Sequence, residues 1–113
     1  MKMYFEETGY FQKDCRKLRK KYRSLPDDLD VFKNIISVIP LGNSRHFCIL
    51  RHVGDIYIIK ARLFCRYLRG SSLRVIYAYI EPESSISFLE LYFKGDRENE
   101  DMERIEEYLG AAK

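Results

Sequence analysis

Three long apolar runs in the second half of the chain restrict its fold more than any other feature of the sequence. Residues 56–59, 75–80 and 86–93 are rich in β-branched and aromatic side chains, and polar or glycine-containing stretches separate them. Runs of this length and composition predict consecutive strands of one sheet. Allowing for their flanks, we expect strands over 47–50, 56–64, 73–80 and 86–93. Short turns such as Gly54-Asp55 join strands as hairpins, which indicates an antiparallel meander.

The first half of the chain has helical periodicity instead. Apolar residues recur at spacings of four, three, four and three, which is typical of one stripe of an α-helix. Pro26 ends this helix, and the aspartates after it favour a new helix start, because a helix N-terminus prefers negative charge. A second helix with an apolar side over 31–39 follows, and the two should pack as an antiparallel hairpin. The first stripe consists of Phe11, Cys15, Leu18, Tyr22 and Leu25.

The C-terminal segment predicts one more, short helix. Asn99 is placed to cap it, and Met102, Ile105 and Leu109 would form its inner side. Residues 1–7 are either a first strand or an entry segment. The order of elements predicts an α+β fold with an N-terminal helical hairpin packed on an antiparallel sheet. With 113 residues, the chain fits a single domain, 1–113.

The composition predicts an ordinary globular protein without a metal or cofactor site. Hydrophobic residues make up 46% and charged residues 33% of the chain. Cys15, Cys48 and Cys65 are far apart and form no CxxC motif, so buried reduced thiols are favoured over a disulfide or a zinc site. No apolar run has the length of a membrane span, and no signal-peptide core is present at the N-terminus. We therefore expect a cytoplasmic protein that does not contact a membrane.

The charge is unevenly distributed, although the net charge is only +3. Residues 10–23 carry seven Lys or Arg against one Asp, and residues 96–107 carry seven Asp or Glu against two Arg. The basic helix face is either a solvated surface or an electrostatic footprint for RNA or an acidic partner. Both interpretations remain open from the sequence alone.

A second basic cluster falls on the predicted sheet. Between Lys60 and Arg74 there are five basic residues and no acidic one. Because side chains alternate along a strand, Lys60 and Arg62 share a face, and Arg74 opens the neighbouring strand. Such a cluster is suited to receive a phosphate backbone. The alternative is that these are strand charges that deter aggregation.

Short signatures in this region resemble the RelE/ParE toxin superfamily. They are Ile-Lys-Ala-Arg at 59–62, a spacer rich in Arg, Gly and Ser, Leu-Arg-Val-Ile-Tyr at 73–77, and the last strand with its continuation, FLELYFKGDREN, at 88–99. The resemblance covers about residues 56–105. It implies a toxin that a cognate antitoxin holds inactive. RelE-type members cleave mRNA, usually on the ribosome, whereas ParE-type members inhibit DNA gyrase.

By motif position, the resemblance implies a catalytic set for metal-free RNA cleavage without a cofactor. Lys60 would be the general base, Arg62 a phosphate clamp and Arg74 the group that stabilises the transition state. Neighbouring cations are expected to depress the pKa of Lys60, which would assist a base. Four further basic residues would contact RNA: Arg66, Arg69, Lys94 and Arg97.

The chain also departs from the RelE pattern. RelE-type nucleases generally carry a second arginine after the last strand and a Tyr or His near the C-terminus. No Tyr or His lies between Lys94 and Tyr108. The acidic run found there is expected to be a solvated helix start. Tyr77 and Tyr79 are expected in the core, and Tyr92 fits either the core or the site. A gyrase inhibitor and a catalytically degenerate RNA-binding protein therefore remain as alternatives.

Overall fold

The computed structural model describes residues 2–68 and 72–112. Over these residues the elements follow the predicted order, and the α+β class is confirmed. A 3-10 turn, Arg66–Leu68, follows the third strand. The helices and strands are β1 (Tyr4–Glu7), α1 (Gly9–Lys21), α2 (Leu25–Val38), β2 (Phe47–Val53), β3 (Ile56–Phe64), β4 (Ser72–Ile80), β5 (Ser85–Phe93) and α3 (Met102–Ala112).

The strands that the structure describes form one mixed sheet in the spatial order β1-β5-β4-β3-β2. Strands β2 to β5 form the antiparallel meander that the turns predict. Strand β1 runs parallel to β5, with Tyr4 opposite Ser85. The antiparallel prediction is thus confirmed for four consecutive strands, and the N-terminal segment adds a parallel strand at the edge.

Helices α1 and α2 pack on one face of the sheet and enclose the main core. The Thr8 side chain caps α1 by accepting the N–H of Phe11. The prediction that Leu25 belongs to the first helix is wrong, because Tyr22 caps α1 and Leu25 begins α2. Pro26 lies in the first turn of α2, where a missing N–H breaks no helical hydrogen bond. Fully buried core residues include Phe11, Ile36, Ile59, Leu63, Tyr77 and Phe88.

Helix α3 packs against the opposite face and covers only part of it. Ile105 and Leu109 are buried against Ile58, Ile76 and Leu89. The same face continues along β3 and β4 past these residues, since side chains two positions apart on a strand share a face. The part of this face beyond α3 is where the basic cluster lies.

The cap of α3 differs from the prediction. The Asp101 carboxylate accepts the N–H groups of Glu103 at 3.0 Å and Arg104 at 3.3 Å. Asp101 therefore caps the helix in place of Asn99. The sequence contains several residues able to cap in this stretch, and only packing of α3 on the sheet decides which one is used.

A bulge in β5 changes which face its last residues use. Ile76 lies opposite Glu90, and the next residue, Tyr77, lies opposite Phe88, so Leu89 is the extra residue. Phe88 packs under α1 and α2, whereas Tyr92 packs on the face of α3. A bulge shifts the alternation of side chains by one position. Tyr92 is thereby turned toward the basic cluster.

The loop between α2 and β2 is fixed by close packing. Gly42 has a φ of +71°, and a Cβ atom added there would clash with the ring of Phe47. The Tyr77 hydroxyl donates to the carbonyl of Pro40 at 2.6 Å. The Asn43 side-chain oxygen accepts the N–H of His46 at 3.0 Å. These contacts hold the start of β2 beside the basic cluster.

The cysteines are free thiols in three different environments. Cys65 is buried and Cys15 is half-buried, but Cys48 is exposed, so the expectation of a buried thiol is wrong at that position. Burial, together with the charges of Glu7 and Asp14, raises the pKa of Cys15 to about 12, which makes it a poor nucleophile. Among the described residues, no helix is both long and apolar enough to span a bilayer.

Candidate functional site

Arg62, Arg74 and Tyr92 lie side by side across three neighbouring strands. Arg62 is directly opposite Arg74 in the ladder between β3 and β4. Arg74 is in turn directly opposite Tyr92 in the ladder between β4 and β5. Directly opposed residues of antiparallel strands project to the same face. The two guanidinium groups therefore project from the part of the sheet that α3 leaves open.

These side chains border an open groove of about 330 Å³, which we term the cationic groove. The groove brings together the three residues predicted to be catalytic, Lys60, Arg62 and Arg74, with the predicted RNA contact Lys94. Walls that carry several cations attract and hold a polyanion. The other lining residues are Ser44, Arg45, His46, Phe47, Cys48, Leu50 and Ala61.

Lys60 is engaged in an ion pair with the acidic segment before α3. Its ammonium donates to the Glu100 carboxylate at 2.9 Å, and both side chains are largely shielded from solvent. Partial burial alone would lower the pKa of Lys60, but the hydrogen bond to Glu100 and the charges of Tyr92 and Glu100 raise it above 10.5. The expectation of a depressed pKa is therefore wrong. A lysine held protonated binds anions and does not accept protons near neutrality.

The same ion pair corrects the interpretation of the acidic run. Glu100 was expected in a solvated helix start, yet its side chain is only 14% exposed and contacts Lys60. Partial burial alone would raise the pKa of Glu100, but the hydrogen bond and charge of Lys60, with Arg97 nearby, lower it below 4.5. Glu100 is therefore a carboxylate at neutral pH, and it forms an ion pair with one of the cations of the groove.

Arg74 is oriented by its own strand. Its guanidinium donates to the Ser72 hydroxyl at 2.6 Å and approaches the Ser72 carbonyl at 3.4 Å. Partial burial lowers the pKa of Arg74, and the neighbouring positive charge of Arg62 lowers it further. Within the described part of the chain, neither arginine forms an ion pair. Two adjacent cations without a carboxylate partner constitute an anion site that an RNA phosphate can fill.

Tyr92 is buried beside these cations and beneath Arg97. The Arg97 guanidinium lies 4.8 Å from the centre of the Tyr92 ring and pairs with the buried carboxylate of Glu90. The Tyr92 hydroxyl oxygen is buried and interacts with the ammonium group of Lys60. Burial raises the pKa of Tyr92, although the charge of Lys60 opposes this. Arg97 is a predicted RNA contact, but in this structure its guanidinium contacts Tyr92 and Glu90 and holds the segment after β5 against the sheet.

Of the two spacer arginines, Arg66 does not line the groove. Arg66 donates to Asp28 at 3.3 Å through its side chain and at 3.2 Å through its backbone N–H, and it reaches Asp27 at 3.4 Å. These bonds tie the turn after β3 to the start of α2. Arg69 lies outside the described residues.

His46 is a groove residue that the sequence reasoning did not single out. Its carbonyl accepts the N–H of Arg62 at 3.0 Å, which continues the ladder between β2 and β3 and sets His46 opposite Arg62. The imidazole meets the ring of Phe64 edge-on, with ring centres 5.2 Å apart, and its Nδ1 atom is buried without a hydrogen-bond partner among the described residues. The only sequence signal is a histidine directly before β2, which becomes informative once the strand register is known.

The arrangement is suited to hold a phosphodiester and stabilise added negative charge on it. RNA cleavage by its own 2′-hydroxyl passes through a phosphorane with two negative charges. Arg62, Arg74 and the nearby ammonium groups are donors of the required charge. Among residues 2–68 and 72–112, no three His, Cys, Asp or Glu side chains cluster closely enough to hold a metal ion.

Solved structures with the same architecture define the class of fold. RelE from the crystal structure of the archaeal RelE–RelB complex of Pyrococcus horikoshii OT3 has a TM-score of 0.63 and 23% identity, covering 84% of this chain and 98% of that chain. A mutant of E. coli toxin RelE in the free state has a TM-score of 0.57 and 20% identity, covering 87% of this chain and 90% of that chain. No protein-family model and no curated protein matches the sequence.

The fold of this chain, a helical hairpin packed on a mixed sheet, is thus similar to that of both solved structures. This chain has the RelE-like toxin fold, which confirms the fold that the sequence resemblance implied.

Proposed function

We propose that this protein is the toxin of a toxin–antitoxin pair and that it cleaves mRNA as an endoribonuclease. The observation that carries the proposal is the pair Arg62 and Arg74, opposed across β3 and β4 in a groove that also contains Lys60 and Lys94. The RelE-like fold supports the same function by analogy. Cleavage of ribosome-bound mRNA requires a cytoplasmic location and a surface that accommodates the ribosome.

In this mechanism the arginines bind the scissile phosphate and the 2′-hydroxyl oxygen attacks phosphorus. Arg62 and Arg74 stabilise the charge that accumulates on the phosphorane, and Lys60 serves as a further cation in place of the general base. Proton transfer falls to His46, because its imidazole lines the groove beside Arg62 and can both accept and donate a proton. His46 accepts the proton of the 2′-hydroxyl as its oxygen attacks and gives a proton to the departing 5′-oxygen as the P–O5′ bond breaks, which leaves a 2′,3′-cyclic phosphate and a 5′-hydroxyl.

The partner in this proposal is an antitoxin that shields the groove. The archaeal structure with the same fold was solved as a RelE–RelB complex. A protein that inactivates this chain should place acidic side chains over Arg62 and Arg74, because opposite charges favour docking at that surface. A small acidic protein encoded in the neighbouring reading frame is the expected partner.

The test is cleavage of mRNA, with and without ribosomes, by the wild type, Arg74→Ala and Arg51→Ala. Arg51 is a matched control because it lies on β2 outside the groove and pairs with Glu106. We expect cleavage by the wild type and by Arg51→Ala, and a rate at least 100-fold lower for Arg74→Ala. Absence of cleavage by the wild type under both conditions would contradict the nuclease function.

One observation favours a second function, that of an RNA-binding protein without cleavage. Glu100 neutralises Lys60, the residue that the family pattern assigns as base. In that case the wild type binds RNA with a steep salt dependence and leaves it intact. The gyrase alternative draws on the lack of a Tyr or His near the C-terminus, whereas His46, from the start of β2, offers the groove another group for proton transfer.

A further inference from the structure

A second, smaller groove adjoins the cationic groove and is mainly apolar. It lies between α2 and the end of β3 and has a volume of about 160 Å³. Three residues, His46, Phe47 and Arg62, line both grooves. A ligand that reaches across this shared wall would have one end among cations and the other among apolar side chains. We term the smaller groove the α2–β3 slot; its apolar walls are Val31, Phe32, Ile35, Ile39, Phe47 and Phe64.

Phe64 is the most exposed aromatic ring of the slot. Its side chain is 60% exposed although it ends a strand of the central sheet. It follows Arg62 by two positions, so the two side chains project from the same face of β3. The His46 ring contacts the Phe64 ring edge-on, with an angle of 89° between the two ring planes. An exposed, oriented aromatic beside a phosphate-binding arginine is typical of proteins that hold unpaired RNA bases.

The slot also contains hydrogen-bonding groups suited to the edge of a base. The Asn43 side-chain oxygen accepts the N–H groups of Arg45 and His46, both at 3.0 Å, which leaves its amide N–H groups to donate. Arg62 supplies further donors at the wall shared with the cationic groove. Ring nitrogens and carbonyl oxygens of nucleobases are acceptors for such donors.

We propose that the α2–β3 slot binds one unpaired nucleobase of single-stranded RNA, adjacent to the phosphate held by Arg62 and Arg74. This inference rests on the proposed RNA-binding function of the cationic groove. A base fits better than a peptide helix for two reasons. The volume of the slot is below that of pockets for larger ligands. Arg62 also joins it to a phosphate site, and the phosphate and base of a nucleotide are covalently joined.

The experiment uses short 2′-O-methyl oligoribonucleotides, which lack the attacking hydroxyl and cannot be cleaved by it. One position carries 2-aminopurine, whose fluorescence falls when it stacks on an aromatic ring. The variants are Phe64→Ala, Phe64→Trp and the control Ile49→Ala, which removes a half-exposed apolar side chain of β2 outside the slot. A parallel oligonucleotide has an abasic residue in place of the 2-aminopurine.

We expect the wild type to quench the fluorescence and Phe64→Ala to bind about ten-fold more weakly, because base stacking on one aromatic contributes on that scale. Phe64→Trp and Ile49→Ala should bind as the wild type does. The abasic oligonucleotide should bind the wild type about ten-fold more weakly and show no further weakening with Phe64→Ala, since both changes remove the same stacking interaction.

If the wild type binds RNA and Phe64→Ala binds it equally well, the slot does not bind a nucleobase. Its apolar face would then be assigned to contact with a protein partner. The proposal would also be wrong if the abasic residue and Phe64→Ala weakened binding independently, so that their factors multiplied. Failure of the wild type to bind RNA at all would overturn both the slot and the proposed function. If binding depends on the base but mRNA is not cleaved, the proposed base-binding role of the slot is supported and the proposed nuclease function is contradicted.

Discussion

The ammonium group of Lys60 lies 2.9 Å from the carboxylate of Glu100, a residue of the acidic segment that leads into α3. The two side chains are 25% and 14% exposed, so the pair is largely shielded from solvent. Glu100 therefore pairs with a cation of the groove that, in the proposed function, would contact an RNA phosphate. Under that proposal the Glu100 carboxylate competes with RNA for Lys60, and the strength of the competition can be measured by substitution.

Glu100→Gln should increase RNA affinity by about ten-fold at low salt. The substitution frees Lys60 for a phosphate, and a hydrogen bond between charged groups contributes about 1.5 kcal/mol or more. Fluorescence anisotropy with a labelled oligoribonucleotide measures the change. Glu98→Gln is the matched control, because it removes the same charge from an exposed position of the same segment. Equal gains in both variants would indicate a general charge effect and contradict a specific role of the Lys60 pair.

The Lys60–Glu100 pair should also leave a signature in the pH dependence of stability. The pKa of Glu100 is lowered below 4.5, so the stabilisation it provides is present above 4.5 and is lost as the pH falls through the lowered value. The pKa of Lys60 is raised above 10.5, so its stabilisation is complete below 10.5 and is lost as the pH rises through the raised value.

Urea unfolding of the wild type and Glu100→Gln across pH tests this signature. The difference in free energy of unfolding should be about 1 kcal/mol and constant at intermediate pH. It should shrink below pH 4.5 and above pH 10.5, where one partner loses its charge. A difference that stays constant down to the acid limit would show that the ion pair contributes nothing to stability.

Much of the framework of the site follows from the sequence. Strand β3 occupies the predicted range Ile56–Phe64, and alternation along it correctly assigns Lys60 and Arg62 to one face. The hairpin from β3 to β4 then brings Arg74 opposite Arg62. These features depend on local patterns of apolar residues and turns, which a single sequence contains.

The remaining parts of the site depend on contacts between distant segments. The bulge at Leu89 turns Tyr92 to the face of the groove, and simple alternation from Phe88 would have placed it on the opposite face. His46 joins the groove only through its register with Arg62. Glu100 reaches Lys60 because α3 folds back over the sheet. The raised pKa of Lys60 results in large part from this contact with Glu100, which the basic residues near Lys60 in the sequence do not predict.

Arg62→Ala and Arg74→Ala should each weaken RNA binding and reduce its dependence on salt. For single-stranded RNA the slope of log affinity against log salt should fall by about 0.7 for each phosphate that the variant no longer neutralises. Arg51→Ala, outside the groove, should leave the slope unchanged. An unchanged slope in both groove variants would show that the phosphate lies elsewhere on the protein.

Arg62→Ala should at the same time preserve or slightly increase stability. The charge of Arg62 lowers the pKa of Arg74, which means that the two cations repel each other in the folded protein. Removing the exposed Arg62 relieves this repulsion, and the free energy of unfolding should rise by about 0.3 kcal/mol. Thermal or urea unfolding at low salt measures the change, and high salt should abolish it. A decrease of more than about 1 kcal/mol would instead indicate that Arg62 supports the fold.

His46→Asn should lower the single-turnover rate of RNA cleavage by about 100-fold, a larger factor than its effect on RNA binding. The reason is that general acid–base catalysis by one side chain contributes at least that factor. His46 lines the groove, whereas Lys60 is held protonated by Glu100 and the Tyr92 hydroxyl is buried with a raised pKa. Single-turnover cleavage at saturating protein measures the chemical step separately from RNA binding, and a rate for His46→Asn within about ten-fold of the wild type would contradict this role.

Tyr92→Phe provides the comparison for this last prediction. Because the Tyr92 hydroxyl interacts with the ammonium group of Lys60, its removal should lower the free energy of unfolding by about 1 kcal/mol or less. Its cleavage rate should stay within about ten-fold of the wild type. If Tyr92→Phe instead loses about 100-fold in cleavage rate and His46→Asn does not, proton transfer belongs to the tyrosine, and the role assigned to His46 is wrong.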